Sequence, residues 1–158
     1  MQLPEMPSFS LKGRSALIVG ASSGIGIACA VALAEHGAKV TLAARRKDKL
    51  EILAHQMEKK EFEVKILELD INDIIKTSDT ISKLETFDIL VNSAGIAKHS
   101  ASVDTLFHDF DVVMNTNLRG AYFLTQAVAK KIILEGKKGS LINISSQMGL
   151  VGGQERAV

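Results

Sequence analysis

The sequence predicts an α/β fold in which a doubly wound parallel sheet is covered by helices on both faces. Three observations support this prediction. Strand-like and helix-like segments alternate along almost the whole 158 residues. The strand-like segments are short and continuously apolar, as strands buried on both faces of a parallel sheet are. A glycine-rich turn joins the first strand to the first helix, which is typical of doubly wound sheets that bind nucleotides.

The first half of the chain predicts three strand–helix units. Predicted strands cover residues 15–19, 39–43 and 63–69, and predicted helices cover residues 24–36, 47–60 and 74–84. The first helix is rich in alanine and apolar on all sides, which indicates burial, and Gly37 marks its C-terminal end. The second helix is amphipathic and exposed, and Asp73 is a candidate N-cap for the third.

The second half adds two strands around a long helical stretch. Residues 88–91 form the fourth predicted strand, and residues 140–144 form the fifth. Between them, residues 104–135 are predicted to be mostly helical, with Gly136 at their end. There is no internal repeat, low-complexity run or interdomain linker in the sequence. We therefore predict one dinucleotide-binding domain over residues 1–158.

The composition excludes several classes of protein. Hydrophobic residues make up 46% and charged residues 23%, a balance typical of a folded soluble domain and not of a disordered chain. The formal net charge of +1 gives no basis for a nucleic-acid or membrane partner. Residues 1–10 lack a signal-peptide pattern, and no window is long and apolar enough to span a bilayer. A cytoplasmic location is therefore expected.

Cysteine and histidine indicate neither a disulfide nor a metal site. Cys29 is the only cysteine, which excludes an intrachain disulfide and favours a reducing compartment. Its alanine-rich surroundings favour a small packed residue on a helix over a reactive thiol. No metal is expected, because metal-ligand spacing is absent among the four histidines: His36, His55, His99 and His108.

A phosphate-binding turn is predicted directly after the first strand. Its candidate cofactor-binding residues are Gly20, Ser22, Ser23, Gly24, Ile25 and Gly26. Small residues let the backbone approach a pyrophosphate closely, and the free N–H groups of the following helix face its negative charge. The two serines add hydroxyl donors. Glycines also mark plain turns, but the position between a buried strand and a helix favours a phosphate site.

The end of the second predicted strand indicates which dinucleotide is bound. A carboxylate there would accept hydrogen bonds from the adenosine ribose and favour NAD. The sequence instead has Ala44 followed by Arg45 and Arg46. Guanidinium groups bind phosphate through charge-assisted, forked hydrogen bonds. We therefore predict NADP as the cofactor, with NAD as the alternative. A pair of arginines that merely opens an exposed helix would give the same pattern.

The spacing of the glycines resembles that of a known enzyme family. Glycines at positions 20, 24 and 26 form G-x-x-x-G-x-G, which resembles the T-G-x-x-x-G-I-G string of the short-chain dehydrogenases/reductases. Val19 stands where that family often has threonine. The G-x-G-x-x-G spacing of other dinucleotide-binding folds does not fit. The resemblance implies a Rossmann-type fold, and it extends over residues 11–158 because further family strings follow in the family's order.

Two of these strings concern cofactor binding. Asp70-Ile71 resembles the family's aspartate–hydrophobic pair that contacts adenine, and a turn or helix-capping aspartate is the alternative. Residues 92–95 resemble the string N-N-A-G, which brings backbone against the cofactor ribose and braces the sheet, with Ser93 in place of the second asparagine. The cofactor-binding residues that the resemblance implies here are Asp70, Ile71, Asn92, Ala94 and Gly95.

Two further strings imply catalytic residues. Residues 117–120 resemble the string N-L-x-G, whose asparagine holds a water of the proton relay at a local distortion of the helix. That asparagine is Asn117, and a satisfied polar core residue is the alternative. Residues 140–146 resemble the fifth strand and the catalytic serine. We assign Ser146, whose hydroxyl would hydrogen-bond the substrate oxygen, with Ser145 as the competing residue.

The resemblance implies reversible hydride transfer between a nicotinamide ring and a carbonyl or secondary alcohol, with a small-molecule substrate. It also implies a homo-oligomer, either a dimer or a tetramer. A non-catalytic dinucleotide-binding module, a redox sensor and a methyltransferase of the same fold are the alternatives. Asn117 and Ser146 favour the oxidoreductase, because simple binding needs neither residue.

The resemblance also predicts that part of the catalytic site follows the printed sequence. In that family a tyrosine follows the serine by about thirteen residues, a spacing taken from the family and not from any rule of loop length. Counted from Ser146, it falls one residue past Val158, and Tyr122 is the only tyrosine present. We therefore expect a C-terminally incomplete domain, truncated after about the fifth strand and inactive by itself.

Overall fold

The computed structural model describes residues 7–158, in which five parallel strands form one sheet. The first six residues, and the part of the signal-peptide prediction that falls on them, lie outside the described residues. The strands are β1 (Ser15–Val19), β2 (Lys39–Ala44), β3 (Val64–Glu68), β4 (Ile89–Asn92) and β5 (Ser140–Asn143). Their order is β3-β2-β1-β4-β5, so the predicted doubly wound parallel sheet is confirmed.

The described residues also form five α-helices, four of which pack on the two faces of this sheet. They are α1 (Gly24–Glu35), α2 (Lys47–Glu58), α3 (Ile74–Lys83), α4 (Phe107–Met114) and α5 (Ala121–Leu134). Residues of β1 alternate between two hydrophobic cores: Ala16 and Ile18 pack with α1 and α2, whereas Leu17 and Val19 pack with α3 and α5. Burial on both faces explains why the strand is continuously apolar. Cys29 is half-buried against the core of α1 and α2.

The long helical stretch differs most from its prediction. It begins at Phe107, after a single 3₁₀ turn at Ser102–Asp104, and a π-helical segment at Asn115–Gly120 interrupts it. A Cβ atom on Gly120 would lie 2.9 Å from the carbonyl oxygen of Ile71, so this part of the helix packs tightly on a neighbouring loop. Such π-helical turns within a helix are rare and are frequently found at functional sites.

The remaining boundaries agree with the prediction or differ from it by at most two residues. The second helix ends at Glu58 and not at residue 60, because Glu61 adopts a left-handed conformation with φ of 61°. Gly37, with φ of 93°, follows α1 as predicted. The Asp73 carboxylate accepts a hydrogen bond from the Lys76 N–H at 3.0 Å and caps α3, also as predicted. Among residues 7–158, no helix has the length and apolar character needed to cross a membrane.

The sheet order fixes where a ligand site can lie. Strands β2 and β3 lie on one side of β1, whereas β4 and β5 lie on the other, so the loops that leave β1 and β4 diverge. Their carboxyl ends are in register, since Val19 pairs with both Ala43 and Asn92, and Asn92 pairs with Asn143. Ligands of doubly wound sheets bind in the crevice at such a point.

Candidate active site

Gly20 lets the phosphate loop pass close to the loop that follows β4. Its φ is 85°, and a Cβ there would lie 2.6 Å from the Ala94 nitrogen and 2.7 Å from the Ser93 carbonyl carbon. No larger residue fits such a contact. Gly26 is equally restricted, because its Cβ would lie 2.4 Å from the Gly20 oxygen. Gly26 is buried and packs beneath the loop, so it shapes the loop and does not line the cavity above it.

Helix α1 begins inside the loop, at Gly24, with Ser23 at its N-cap. The Ser23 side chain makes no capping hydrogen bond and the first turn holds no acidic residue, so the first N–H groups keep their attraction for an anion. Arg46 donates to the Ser22 hydroxyl at 2.9 Å and to the Ser23 hydroxyl at 3.2 Å. Both hydroxyls therefore accept from a cation, and their own protons stay available to a ligand.

A cavity of about 550 Å³ lies above the phosphate loop. The predicted cofactor-binding residues that line it are Gly20, Ser22, Ser23, Gly24, Ile25, Arg45, Arg46, Asp70, Ile71, Ala94 and Gly95. One oxygen of Asp70 accepts a hydrogen bond from the Asn72 N–H at 3.0 Å, so the carboxylate is held by its own turn. Of the predicted cofactor-binding residues, only Gly26 and Asn92 do not line this cavity.

A larger cavity of about 960 Å³ adjoins the first along a shared wall. The residues that line both cavities are Ile25, Ser93, Ala94, Gly95 and Ile96. Asn92, Asn117, Ser145 and Ser146 line the larger one. The predicted phosphate-binding and catalytic residues thus lie at two ends of one continuous crevice.

Asn92 is 3% exposed and joins the carboxyl ends of β4 and β5. Its amide nitrogen donates to the Asn143 oxygen at 3.1 Å, and its own oxygen accepts from the Ala94 N–H at 3.2 Å. The Thr125 hydroxyl of α5 lies 3.3 Å from the same Asn143 oxygen. Asn143 and Thr125 were not predicted as site residues. For Asn143 the available signal was a polar side chain among the otherwise apolar residues 141–144.

Asn117 lies in the π-helical segment, so the distortion expected at this asparagine is present. Its side chain bonds the backbone of Ile96 twice, accepting from the N–H at 2.9 Å and donating to the carbonyl at 2.7 Å. Ile96 belongs to the wall between the two cavities. Asn117 therefore holds the loop after β4 in place against the helix.

Ser146 follows β5 and caps a 3₁₀ turn at Gln147–Gly149. Its hydroxyl oxygen accepts a hydrogen bond from the Met148 N–H at 3.2 Å. This contact orients the oxygen and leaves the hydroxyl proton free to be donated to a ligand. Ser145 lines the same cavity. The described residues contain no group of three or more His, Cys, Asp or Glu side chains arranged to hold a metal ion.

Comparisons with known proteins agree with this geometry. The sequence profile of the short chain dehydrogenase family matches residues 14–158. A gluconate 5-dehydrogenase of Gluconobacter oxydans is 34% identical over 142 residues, which are 87% of this chain and 55% of the relative. A 3-oxoacyl-[acyl-carrier-protein] reductase of Rickettsia prowazekii is 35% identical over 147 residues, which are 93% of this chain and 59% of the relative.

Solved structures extend the likeness to three dimensions. A gluconate 5-dehydrogenase of Burkholderia cenocepacia, crystallised with NADP and tartrate, has a TM-score of 0.88 and 32% sequence identity. The match covers 95% of this chain and 60% of that protein, so the chain spans a little over half the length of these relatives. Because the family profile matches residues 14–158, almost the whole sequence, the chain belongs to the short-chain dehydrogenase/reductase family.

Proposed function

We propose that the protein is an NADP-preferring oxidoreductase that interconverts a carbonyl and a secondary alcohol by hydride transfer. One observation supports this above the others. A phosphate loop with two adjacent arginines occupies one end of a continuous crevice, and Ser146 and Asn117 occupy the other end. A dinucleotide laid along this crevice would bring its nicotinamide to the serine. The oxidoreductase relatives, one of them solved with NADP, support the same activity.

The residues of the smaller cavity fit the adenosine half of the cofactor. The backbone at Gly20 and the start of α1 would bind the pyrophosphate, and Ser22 and Ser23 would donate to it. Arg45 would bind the 2′-phosphate that distinguishes NADP from NAD. Asp70 would accept from the adenine amine with the oxygen that its turn leaves free. The bound nicotinamide supplies hydride transfer, and the protein orients it.

Ser146 and Asn117 have different tasks in this proposal. The Ser146 hydroxyl, oriented by the Met148 N–H, donates a hydrogen bond to the substrate oxygen and stabilises the charge that develops there. Asn117 positions the wall of the crevice and a water of the proton relay. Because its side chain already makes two hydrogen bonds to Ile96, we expect that water to bind the backbone of the π-helical segment.

The test is an assay of the protein made from the complete gene. It should oxidise NADPH with some members of a carbonyl panel, and Ser146→Ala should cut kcat at least about 100-fold while cofactor binding changes little. Ser145→Ala is the matched control and should have a much smaller effect. Tight NADPH binding without turnover would favour a non-catalytic binding module, and reversed effects of the two variants would move the catalytic role to Ser145.

We further infer a cytoplasmic protein that assembles into a homo-oligomer. The observation that supports assembly is an exposed apolar surface around α4, because large apolar patches on a folded domain mark contact sites. Its members are Val103 (90% exposed), Leu106 (65%), Phe107 (93%) and Phe110 (48%). Sedimentation of the protein made from the complete gene tests this: we expect a dimer or tetramer, and a monomer would contradict it.

A further inference from the structure

Two loops that each contribute residues to the wall of the larger cavity are joined, just outside that wall, by one arginine–histidine contact. Arg156 Nη1 lies 3.0 Å from His99 Nε2. The backbone beside it forms an isolated parallel bridge between Ser100 and Arg156, and the Ala157 N–H donates to the Ser100 carbonyl at 3.4 Å. The chain that leaves Ser146 therefore returns to lie along the loop that follows β4.

Both joined loops belong to the wall around the reacting end of the crevice. Ile96 and Ala97, just before His99, line the larger cavity, and so do Ser145 and Ser146, at the start of the other loop. The aliphatic part of Arg156 passes over Gly153, where an added Cβ would lie 3.1 Å from the arginine Cγ. The arginine side chain thus lies against Gly153 with its methylene groups and against His99 with its guanidinium.

The contact leaves the guanidinium with free, oriented donors. A guanidinium has five N–H donors and no acceptor, so Arg156 is the donor in this contact, and most of its donors stay free for a ligand. No carboxylate of residues 7–158 forms an ion pair with Arg156. The neighbouring Lys98 differs, because its ammonium lies 3.3 Å from the Asp109 carboxylate.

We propose that Arg156, oriented by His99, binds an anionic group of the substrate while Ser146 holds the reacting oxygen. The ligand class is a carbonyl or alcohol compound that also bears a carboxylate or a phosphate, since the guanidinium fork matches both groups. Arg156 is then a specificity-determining residue and His99 a positioning residue. This inference rests on the proposed oxidoreductase function.

The experiment compares matched substrates with the protein made from the complete gene. A hexitol, the hexonate of the same carbon chain and the hexitol phosphate are oxidised with NADP, and kcat/KM is measured for each. We expect at least one anionic substrate to exceed the neutral one about 10-fold, because Arg156 is exposed and solvent weakens its contact. The better anionic substrate identifies the group as carboxylate or phosphate.

Variants then assign the preference to the arginine. Arg156→Gln should abolish it while turnover of the neutral substrate is kept, and Arg156→Lys should restore part of it. Lys98→Gln removes the same charge from a paired neighbour and should leave it unchanged. His99→Leu should weaken it, whereas His99→Gln, which keeps an acceptor, should retain most of it.

The outcomes separate this inference from the function on which it rests. Equal kcat/KM for neutral and anionic substrates, or an equal loss on all substrates in Arg156→Gln, would overturn the anion site and leave the oxidoreductase standing. If the protein transferred hydride to none of the carbonyl compounds, the proposed function would be overturned, and the anion site with it. Circular dichroism and the melting temperature of each variant exclude unfolding as the cause, and Arg156→Lys repeats the test should Arg156→Gln fail to fold.

Discussion

At the residue scale, the two adjacent arginines after β2 have different surroundings. Arg46 bonds the hydroxyls of Ser22 and Ser23, so it ties the β2–α2 junction to the phosphate loop. Arg45 lines the same cavity as an exposed side chain. Because the pyrophosphate belongs to both NAD and NADP, whereas the 2′-phosphate belongs to NADP alone, the two arginines are expected to affect the cofactors differently.

We predict that Arg45→Asp lowers the affinity for NADPH and leaves NADH binding nearly unchanged in the protein made from the complete gene. A charged contact to phosphate is worth about 1.5–3 kcal/mol, so the preference should fall roughly 10- to 100-fold. Arg46→Gln should instead weaken the binding of both cofactors, because the hydroxyls of Ser22 and Ser23 lose the guanidinium that positions them. Titration of each cofactor checks this. A selective loss of NADPH in Arg46→Gln would make Arg46 the phosphate ligand.

Asp88 is a second informative residue, at the opposite end of the sheet from the site. Burial opposes its ionisation. The backbone N–H and hydroxyl of Ser15 and the guanidinium of Arg14 all donate to the carboxylate, and together they hold the pKa of Asp88 below its ordinary value. The contribution of Asp88 to stability is therefore present above the unfolded-state pKa of about 4, and it is lost as the pH falls through the lower folded-state pKa.

We predict that Asp88→Asn lowers the free energy of unfolding by about 1–3 kcal/mol at pH 7, because hydrogen bonds to a charged acceptor are lost. The difference from the unsubstituted protein should shrink as the pH falls below about 4. Asp79→Asn is the matched control, since it breaks an exposed ion pair with Lys83 that is worth less than about 0.5 kcal/mol. Urea denaturation of both variants at pH 7 and at a pH below about 4 measures these differences. Equal losses in the two variants at pH 7 would contradict the prediction.

At the element scale, the π-helical segment between α4 and α5 connects packing with the site. Gly120 closes the segment against Ile71, next to Asp70 in the wall of the smaller cavity. Asn117 binds Ile96 at the wall between the two cavities. One helix distortion therefore contacts both loops along which the cofactor is proposed to bind.

We predict that Gly120→Ala destabilises the protein by about 1–3 kcal/mol, because the added methyl would lie 2.9 Å from the Ile71 oxygen and 3.1 Å from the Asn115 oxygen. Gly149→Ala is the control, since nothing lies within 4 Å of a Cβ there, and its cost should stay within about 0.5 kcal/mol. Thermal unfolding measures both. Equal melting temperatures for the two variants would show that the helix relaxes around the methyl group.

At the scale of the whole molecule, the sheet has one well-covered half and one open edge. Four of the five residues of β1 are buried, whereas all four residues of β5 are exposed, and within residues 7–158 β5 pairs only with β4. Leu141, Ile142 and Ile144 are 36%, 45% and 40% exposed. An unprotected apolar edge pairs readily with another chain.

We predict that the polypeptide of residues 1–158 self-associates in solution through β5. Ile142→Lys should shift it toward the monomer, because a charge on an edge strand opposes pairing. Ile75→Lys, on the exposed surface of α3 where Ile75 is 83% exposed, is the matched control and should leave association unchanged. Sedimentation velocity over a concentration series measures both. A monomeric unsubstituted chain would contradict the prediction.

Much of the fold and of the site was predictable from local sequence. Gly37 marked the end of α1, Asp73 marked the start of α3, and the apolar run of β1 indicated that this strand is buried on two faces. Each of these patterns reflects a requirement of the nearby backbone or of its exposure to solvent. The order of strings along the chain likewise predicted the family, which is confirmed. The assignments of Arg45, Asn117 and Ser146 stay predictions.

Contacts between distant segments were decided only by the tertiary structure. The hydrogen bonds of Asn143 to Asn92, of Arg46 to Ser22 and of Arg156 to His99 join residues 51, 24 and 57 positions apart. No local pattern specifies such pairs. They form because parallel strands bring the loops at their carboxyl ends to one edge of the sheet, and which side chains meet there depends on register and on the closeness that residues such as Gly20 permit.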